Sequence, residues 1–406
     1  MRLLILTQYY PPETGAAQNR LHELAKRLKV KGMDVEVLTA MPNYPNMKIM
    51  DGYRWKFNVR EVIDDIIVTR SWIYVKNSKS IFHRLLNYFS FVITSFFTGC
   101  FRTGKYDFIL CESPPLFLGM SAYLLSRFKR AKLVFNVSDL WPESAEKLGL
   151  INSRFLLGIS TRLEEFLYRK SALIVGQTKG IVSNISERIP NKKVYWLPNG
   201  AELKYYKPGR EKGNWRDENG FGPDDFLAFY GGILGHAQGL EVILKAASRL
   251  SNNNAIKFII MGSGPLKEKL IDLKKELDIS NVFFFDTLPK IHIPNVLEAI
   301  DASVIPLKKL ELFKGAIPSK IFESLAMKKP IILGVEGEAK ELFIEEGHCG
   351  VFFEPENEND LAEKVLYLAE NRSMLDELGQ NARAYAERKF DREKIADAFY
   401  SELNEL

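Results

Sequence analysis

The chain has 406 residues, 46% hydrophobic and 26% charged, with a net charge of +5. That length suits two domains of roughly 200 residues rather than one core. The composition excludes a disordered, low-complexity or solenoid-repeat protein. Cys100, Cys111 and Cys349 are far apart with no CxxC spacing, which argues against a disulfide framework or a zinc site and for a reducing cytoplasm.

The opening MRLLILTQYY is followed at once by Pro11, Pro12 and Glu13. Its apolar run is too short for a signal peptide and reads as a first strand, Leu3–Thr7. Further strands are expected at Asp34–Thr39, Phe108–Cys111, Lys132–Val137 and Leu173–Gly176, with helical patterns such as Asn19–Leu28 and Ser153–Tyr168 among them. Continuous apolar runs joined by crossover helices describe a parallel, doubly wound α/β domain. Asp64 and Asp65 lie between NVREVI and IIVTRSWI, a hairpin turn rather than a metal pair. No metal constellation appears.

Residues 82–101, FHRLLNYFSFVITSFFTGCF, have His83 and Arg84 as their only ionisable groups apart from the phenol of Tyr88 and the thiol of Cys100. Asn87, Ser90, Thr94 and Thr98 form one uncharged polar stripe, and Phe82, Leu86, Phe89, Ile93 and Phe96 lie on another face. Lys76, Lys79, Arg102 and Lys105 flank the segment. It approaches the roughly 20 residues of a spanning helix, but strands of one domain continue on both sides, which argues against spanning. Two readings remain: a buried crossover helix, or an in-plane contact with the inner membrane leaflet. From Lys76 to Lys132 there are nine Lys/Arg against two acids, whereas Val351–Leu406 has seven against fourteen. Such a basic half could meet nucleic acid or an anionic membrane, or present ordinary solvated faces.

Residues 199–225 are rich in Gly, Asn, Lys and Asp without a clear period, a linker composition. The apolar runs FLAFYGG, IKFIIMGSG, NVFFFD, ASVIPL and PIILGV then restart the α/β alternation. The expected domains are 1–198 and 199–390. An amphipathic helix at 391–406, marked by Ile395, Phe399 and Leu403, would be able to cross back onto the first. Two such domains would face each other across a cleft, with chemistry on the loops after the strands.

Four loops have the composition for an anionic ligand. Gly15 and Ala16 precede a helix, where small residues let a backbone approach and a helix N-terminus offers free N–H groups; a plain tight turn is the alternative. Their loop is not a GxGxxG fingerprint, which weighs against a nicotinamide enzyme. Gly231 and Gly232 end a strand, with His236 and Gln238 in the loop beyond, able to cradle a diphosphate or merely to allow close packing. Gly262 and Gly264 form a similar but less specific element. In GAIPSKIFESLAMKKPIILG, Ser319 is a candidate helix cap, and Lys320 and Glu323 share a helix face three residues apart. The lysine could neutralise a phosphate and the carboxylate accept two ribose hydroxyls. A surface ion pair is the alternative.

PSKIFESLAMKKPII resembles the signature of family 4 retaining glycosyltransferases of the GT-B fold. QYYPPETGAAQNRLHELAKRL, ESPPLFLG, FNVSDLWPES, YGGILGHAQGL and MGSGP fall in the order shown by a subgroup that makes bacterial O-antigen and capsule polysaccharide, L-fucosamine-transferase-like enzymes among them. The resemblance implies that Glu323 binds the donor ribose and that Lys320, Gly231 and Gly232 bind the diphosphate. It implies that the base lies near Thr287–Pro294, and that Gly15 and Ala16 face the donor phosphates. The sequence departs from the family pattern in two ways. Gly315 stands where many members carry a first glutamate, and His236 and Gln238 replace an Arg and Lys clamp. Glu112, Ser113, Asp139, Trp141 and Glu143 follow strands of the first domain and are expected on the acceptor side. Asp139, then Glu143, is the candidate base, with helix capping by Asp139 and core packing by Trp141 as alternatives.

What the resemblance implies is a metal-independent transferase with no cofactor. It would move a hexose or N-acetyl amino sugar, such as N-acetyl-fucosamine, from a UDP-sugar to a lipid-linked saccharide. The enzyme would be cytoplasmic or peripheral at the inner membrane face, with no nucleic-acid partner. A UDP-sugar epimerase on the same fold and a non-catalytic nucleotide-binding scaffold are the competing readings. Dependence on an acceptor lipid separates the first, and loss of UDP affinity the second.

Overall fold

The computed structural model describes residues 1–13, 15–44, 46–78, 80–147, 153–209 and 214–406. The chain divides into two compact units, Met1–Asn199 with Glu393–Leu406, and Gly200–Arg392. The C-terminal helix therefore belongs with the first unit, although it follows the second in sequence.

The first unit runs β1 (Arg2–Leu6), α1 (Ala16–Val30), β2 (Asp34–Ala40), β3 (Asn58–Ile63), β4 (Ile66–Ser71) and α2 (Ile81–Arg102). It continues through β5 (Phe108–Ser113), α3 (Leu118–Lys129), β6 (Lys132–Val137), α4 (Glu143–Lys147), α5 (Arg154–Lys170), β7 (Leu173–Gly176), α6 (Lys179–Arg188) and β8 (Val194–Trp196). Its sheet order is β3-β4-β2-β1-β5-β6-β7-β8. Only β3 pairs antiparallel, through a hairpin on β4, and Asp64 and Asp65 turn it with φ of 46° and 63°. Asp tolerates that left-handed region better than most residues. Residues alternate between two cores. Leu4, Leu6, Ile109 and Phe135 meet α2, α3, α5 and α6, while Leu3, Ile5, Val35 and Val37 meet α1 and the last helix.

The second unit runs α7 (Trp215–Glu218), β9 (Phe226–Gly231), α8 (Glu241–Arg249), β10 (Ile256–Met261), α9 (Lys267–Glu276), β11 (Val282–Phe285), α10 (Ile293–Ala299) and β12 (Ala302–Pro306). After these come α11 (Lys320–Ala326), β13 (Ile331–Gly334), α12 (Glu338–Lys340), β14 (Gly350–Phe352), α13 (Glu358–Glu370) and α14 (Arg372–Lys389), and α15 (Arg392–Asn404) carries the chain back. The sheet is parallel throughout, in the order β11-β10-β9-β12-β13-β14. Strand order reverses between β9 and β12, so the loops leaving their carboxyl ends, after Gly231 and after Pro306, form the switch point where such sheets take ligands.

Two sequence expectations need correction. Much of 199–225 is folded surface of the second unit rather than linker, residues 210–213 lying outside the described ones. Trp215 and Phe221 stack at 5.7 Å, and Phe221 meets Phe283 of β11 at 5.1 Å. Arg216 bonds Asp301 at 2.6 Å and the carbonyls of Ala299 and Asp225. A polar sequence without period can still be tied down by one arginine and two rings. Ser319 does not cap α11: its backbone is already helical, and its side chain accepts no cap bond.

The α11 helix is anchored from beneath. Phe322, 1% exposed, packs on Phe390 and Phe343 at 5.2 and 5.8 Å. Phe322→Ala should lower the stability of this unit by about 3–5 kcal/mol. A urea titration followed by Trp215, the single tryptophan between residues 200 and 392, measures it. An unchanged midpoint would show that the ring does not support the helix.

Candidate active site

The switch-point loop after β9 is interlocked by backbone with the loop after β10. The Gly232 N–H donates to the Met261 carbonyl, the Leu234 N–H to the Ser263 carbonyl, and the Leu266 N–H to the Leu234 carbonyl, at 2.9, 2.9 and 3.0 Å. A Cβ on Gly262 would lie 1.9 Å from the Gly232 carbonyl oxygen, and one on Gly264 would lie 2.4 Å from that of Leu234. Gly262 and Gly264, expected at the donor, thus let the second loop back the first. Gly231 ends β9 with its Cβ position against the Phe229 ring. His236 and Gln238 form a short 3-10 turn beyond, with His236 exposed and Gln238 half-buried.

Lys320 is the group aimed at this loop. Its Nζ lies 3.7 Å from the centroid of the Tyr230 ring, and a Cβ on Gly232 would meet that Nζ at 3.1 Å. Tyr230 is fixed in turn by its hydroxyl, which donates to the Ile233 carbonyl at 2.7 Å. Among the described residues no carboxylate forms an ion pair with Lys320. The residue as a whole is half-buried, but its charged end sits among protein atoms, and that desolvation pushes its pKa down to about 7. A ring face attracts a cation but does not neutralise it.

Glu323 lies one helical turn along. Burial raises its carboxyl above the ordinary range; the cations Arg392, Lys290 and Lys320 and a hydrogen bond from the Tyr206 hydroxyl pull the other way. Lys290 is itself placed by Glu202, at 3.0 Å, and by the Tyr205 ring. Arg392 is held beside residues 200–201 by its bond to the Gly200 carbonyl and by the Ala201–Asp391 bridge. Thr287 is exposed in the loop that follows β11 and precedes Lys290. Ser319 is exposed at the start of α11. Gly315 faces open space where a Cβ would stand.

In the first unit, Gly15 stands at the N-cap of α1, and Ala16 is the exposed first residue of that helix. Glu112 is committed elsewhere. Its carboxylate takes the Arg20 guanidinium at 2.6 Å, with both side chains buried, and also hydrogen bonds from Asn136 and Ser138. Those partners leave it to position the end of β5 rather than to serve as an open base. The Arg20 Nη1 is buried without a partner among the described residues. Ser113 is buried, its carbonyl accepting the Ser138 N–H at 2.8 Å.

Asp139 keeps an exposed edge. It accepts from the Ser144 hydroxyl at 2.5 Å, so it organises α4. The protein around it nonetheless raises its pKa, desolvation outweighing the bonds from Ser144 and the Leu140 N–H. Glu143, half-buried, opens α4 and adds a repulsive charge to Asp139. Trp141 packs edge-on against Phe117 at 5.4 Å, and Phe117 meets Phe89 of α2 at 4.8 Å.

Several contributors were not visible in the sequence motifs. Glu13, 1% exposed, accepts the N–H groups of Tyr10, Asn43 and Tyr44 at 3.1, 2.8 and 2.8 Å, clamping the loops after β1 and β2 together. Tyr230, Tyr206, Lys290 and Arg392 set the environment of Lys320 and Glu323. The double tyrosine Tyr205-Tyr206 in an otherwise polar stretch was the one available signal. Among the described residues no group of three or more His, Cys, Asp or Glu side chains is arranged to hold a metal ion.

Two largely parallel α/β units, with a glycine loop at the switch point of the second, have the architecture of the GT-B fold. The sequence agrees along most of its length. The family profile "Glycosyl transferases group 1" matches residues 211–385, and "Glycosyl transferase 4-like domain" matches residues 15–200. The chain belongs to this group 1, 4-like glycosyltransferase family. It is 26% identical to the putative colanic acid biosynthesis glycosyl transferase WcaI of Escherichia coli, over 99% of this chain and all of that one. A Campylobacter jejuni N-acetylgalactosamine-N,N'-diacetylbacillosaminyl-diphospho-undecaprenol 4-alpha-N-acetylgalactosaminyltransferase is 25% identical over 58% of this chain and 60% of its own. Among solved structures, Anabaena HepE in complex with UDP and glucose superposes with a TM-score of 0.73 at 18% identity, over the whole of both chains.

Gly262→Ala should cost about 3 kcal/mol, because the nearest obstacle is backbone. Gly315→Ala should stay within about 0.5 kcal/mol of the parent. The same Trp215-monitored urea titration compares them, and equal midpoints would show that the interlocked loops give way freely.

Proposed function

We propose that the chain transfers a sugar, with retention of configuration, from a UDP-sugar to a lipid-linked saccharide in the synthesis of a surface polysaccharide. The observation that carries this reading is the desolvated Lys320 ammonium beside Gly232, without an ion pair among the described residues, with Glu323 one turn further along α11. An anion is the partner such a cation lacks. Lys320 and the backbone N–H groups of the glycine loop stabilise the leaving diphosphate, and Glu323 accepts the ribose hydroxyls. Positive charge from Lys320 lets the reaction run without a cofactor or metal. Asp139, its pKa raised, orients the acceptor hydroxyl, with Glu143 beside it; departure and attack share one face of the sugar, so no covalent nucleophile is needed.

The HepE complex supports UDP as the nucleotide, and the diphospho-undecaprenol in the Campylobacter enzyme's name supports a lipid-linked acceptor. A hexose or N-acetyl amino sugar, N-acetyl-fucosamine among them, is the proposed cargo, and O-antigen or capsule the proposed product. A position at the inner face of the cytoplasmic membrane suits such an acceptor.

Isothermal titration with UDP tests the reading. Lys320→Met should weaken binding about 10- to 100-fold, the value of a charge-assisted contact. Glu323→Ala should weaken it by a similar factor. Full affinity in both variants would remove α11 from the site.

The lysine also sets a pH dependence. Below pH 7 it is protonated in the free and bound states, and affinity is flat on its account. Above its free-state pKa of about 7, binding a diphosphate must draw a proton back onto it. Affinity then falls by up to about tenfold per pH unit. Lys320→Arg, charged throughout, should lose this slope. A wild-type profile flat from pH 7 to 9 would contradict the assignment.

A further inference from the structure

The α2 helix is packed inside out. Its polar stripe turns inward and zips the helix onto the segment leaving β4. Asn87 donates to the Tyr74 carbonyl at 2.6 Å, Ser90 accepts the Tyr74 N–H at 2.9 Å, and Thr94 donates to the Trp72 carbonyl at 2.6 Å. Thr98 donates to Asn58 at 2.8 Å. Segment 72–75, outside the sheet, thus has its backbone served by side chains of the helix. The opposite side faces solvent: Phe82 is 65% exposed, Leu86 37%, Phe89 43%, Ile93 58%, Phe97 55% and Phe101 76%. Phe96, expected on that face, is half-buried against the core, and Phe97 takes its place.

These side chains form one unbroken apolar ridge about 28 Å long at the helical rise per residue. Leu124 and Phe128 of α3, also exposed, extend it sideways, because α3 packs along α2 and Ser95 bonds Ser121 at 2.8 Å. Soluble monomers rarely leave so long an apolar surface uncovered. No helix among the described residues is long and apolar enough to cross a membrane.

Basic side chains outnumber acidic ones around the ridge. Arg84 stands near one end, with Arg102, Lys105, Arg127 and Arg130 near the other; all five are exposed, and none makes an ion pair among the described residues. Lys79 lies outside the described residues. Between Trp72 and Ser138 the acids are Asp107 and Glu112. Asp107 accepts the Arg2 N–H at 2.7 Å, and Glu112 is buried against Arg20. Where α2 and α3 end, a cleft of about 660 Å³ is lined by Arg2, Lys105, Asp107, Phe128, Lys129 and Arg130. It joins the apolar ridge to a cationic hollow.

We propose that α2 is a docking face for an anionic lipid bilayer: the helix lies in the membrane plane, its ridge sinks among acyl chains, and the flanking cations meet lipid phosphates. A bilayer is the occupant this chemistry fits. It needs no shape match to a uniform run of Phe, Leu and Ile, and its negative surface complements an acid-poor rim. The inference deepens the proposed position of the enzyme at the membrane and rests on that reading for its purpose alone. Vesicle binding is measured without donor or acceptor, so failure of docking leaves UDP binding intact, and the reverse holds.

Flotation of the full chain with phosphatidylglycerol–phosphatidylethanolamine vesicles, against phosphatidylcholine vesicles, is the test. The wild type should rise with the anionic vesicles and remain below with the neutral ones. Phe97→Asp and Phe101→Asp, each on an exposed position, should lower the partition coefficient about tenfold or more, with circular dichroism and UDP affinity unchanged. Arg102→Glu with Arg130→Glu should lower it most at low salt, and the deficit should shrink as salt rises. Wild-type protein that stays below with anionic vesicles, or variants that float undiminished, would overturn the proposal. So would a concentration-dependent dimer in sedimentation that Phe97→Asp dissolves, since the face would then belong to a second copy.

Discussion

The account depends on one constraint: an ammonium group has its charged end set among protein atoms with no direct ion pair among the described residues, the nearby Glu323 only partly offsetting its desolvation. Lys320 has a ring face at 3.7 Å and a glycine loop beside it, and its pKa settles at about 7. A lysine so placed is costly to the free protein and is kept where something else supplies the negative charge. The rest of the second unit serves that placement. Phe322 seats α11 on a buried aromatic cluster. Tyr230 is pinned by its own loop. The second glycine loop forms a wall behind the first, close enough that no side chain fits between them.

The first unit handles polar groups in a different way. Its buried carboxylates Glu112 and Glu13 are satisfied internally: Glu112 by Arg20, Asn136 and Ser138, and Glu13 by three backbone N–H groups. These clamps make the loops after β1, β2, β5 and β6 rigid. Asp139, with an exposed edge, is the carboxylate we propose for an incoming hydroxyl. The same unit turns the apolar side of α2 outward because the polar side is needed to serve the backbone of residues 72–75. On the proposed reading, a lipid-facing ridge and a lipid-linked acceptor belong to one unit and the nucleotide to the other.

Much of this was legible in the residues. Buried parallel strands are continuous apolar runs, so β6 and β7 were read to the residue and most others within two. The Asp64-Asp65 turn followed from two strand-like flanks, and the shared face of Lys320 and Glu323 from their spacing. Three things were not legible. Tyr206 and Arg392 reach Glu323 through contacts that span the second unit, and no local period announces them. Glu112 and Arg20 are 92 positions apart, so a motif around Glu112 reads the same whether it is a base or a clamp. Periodicity divided α2 into two faces but could not say which one turned inward; hydrophobicity pointed to the apolar face, and the unpaired backbone of the neighbouring segment decided otherwise.

The most direct measurement is the titration of the Lys320 side chain itself, by nuclear magnetic resonance on protein carrying labelled lysine, with Lys320→Arg to assign the signal. In the free protein the resonance should move with a midpoint of about 7, and saturation with UDP should carry that midpoint upward. A midpoint near the ordinary value of 10.5, unmoved by UDP, would contradict the account at its root.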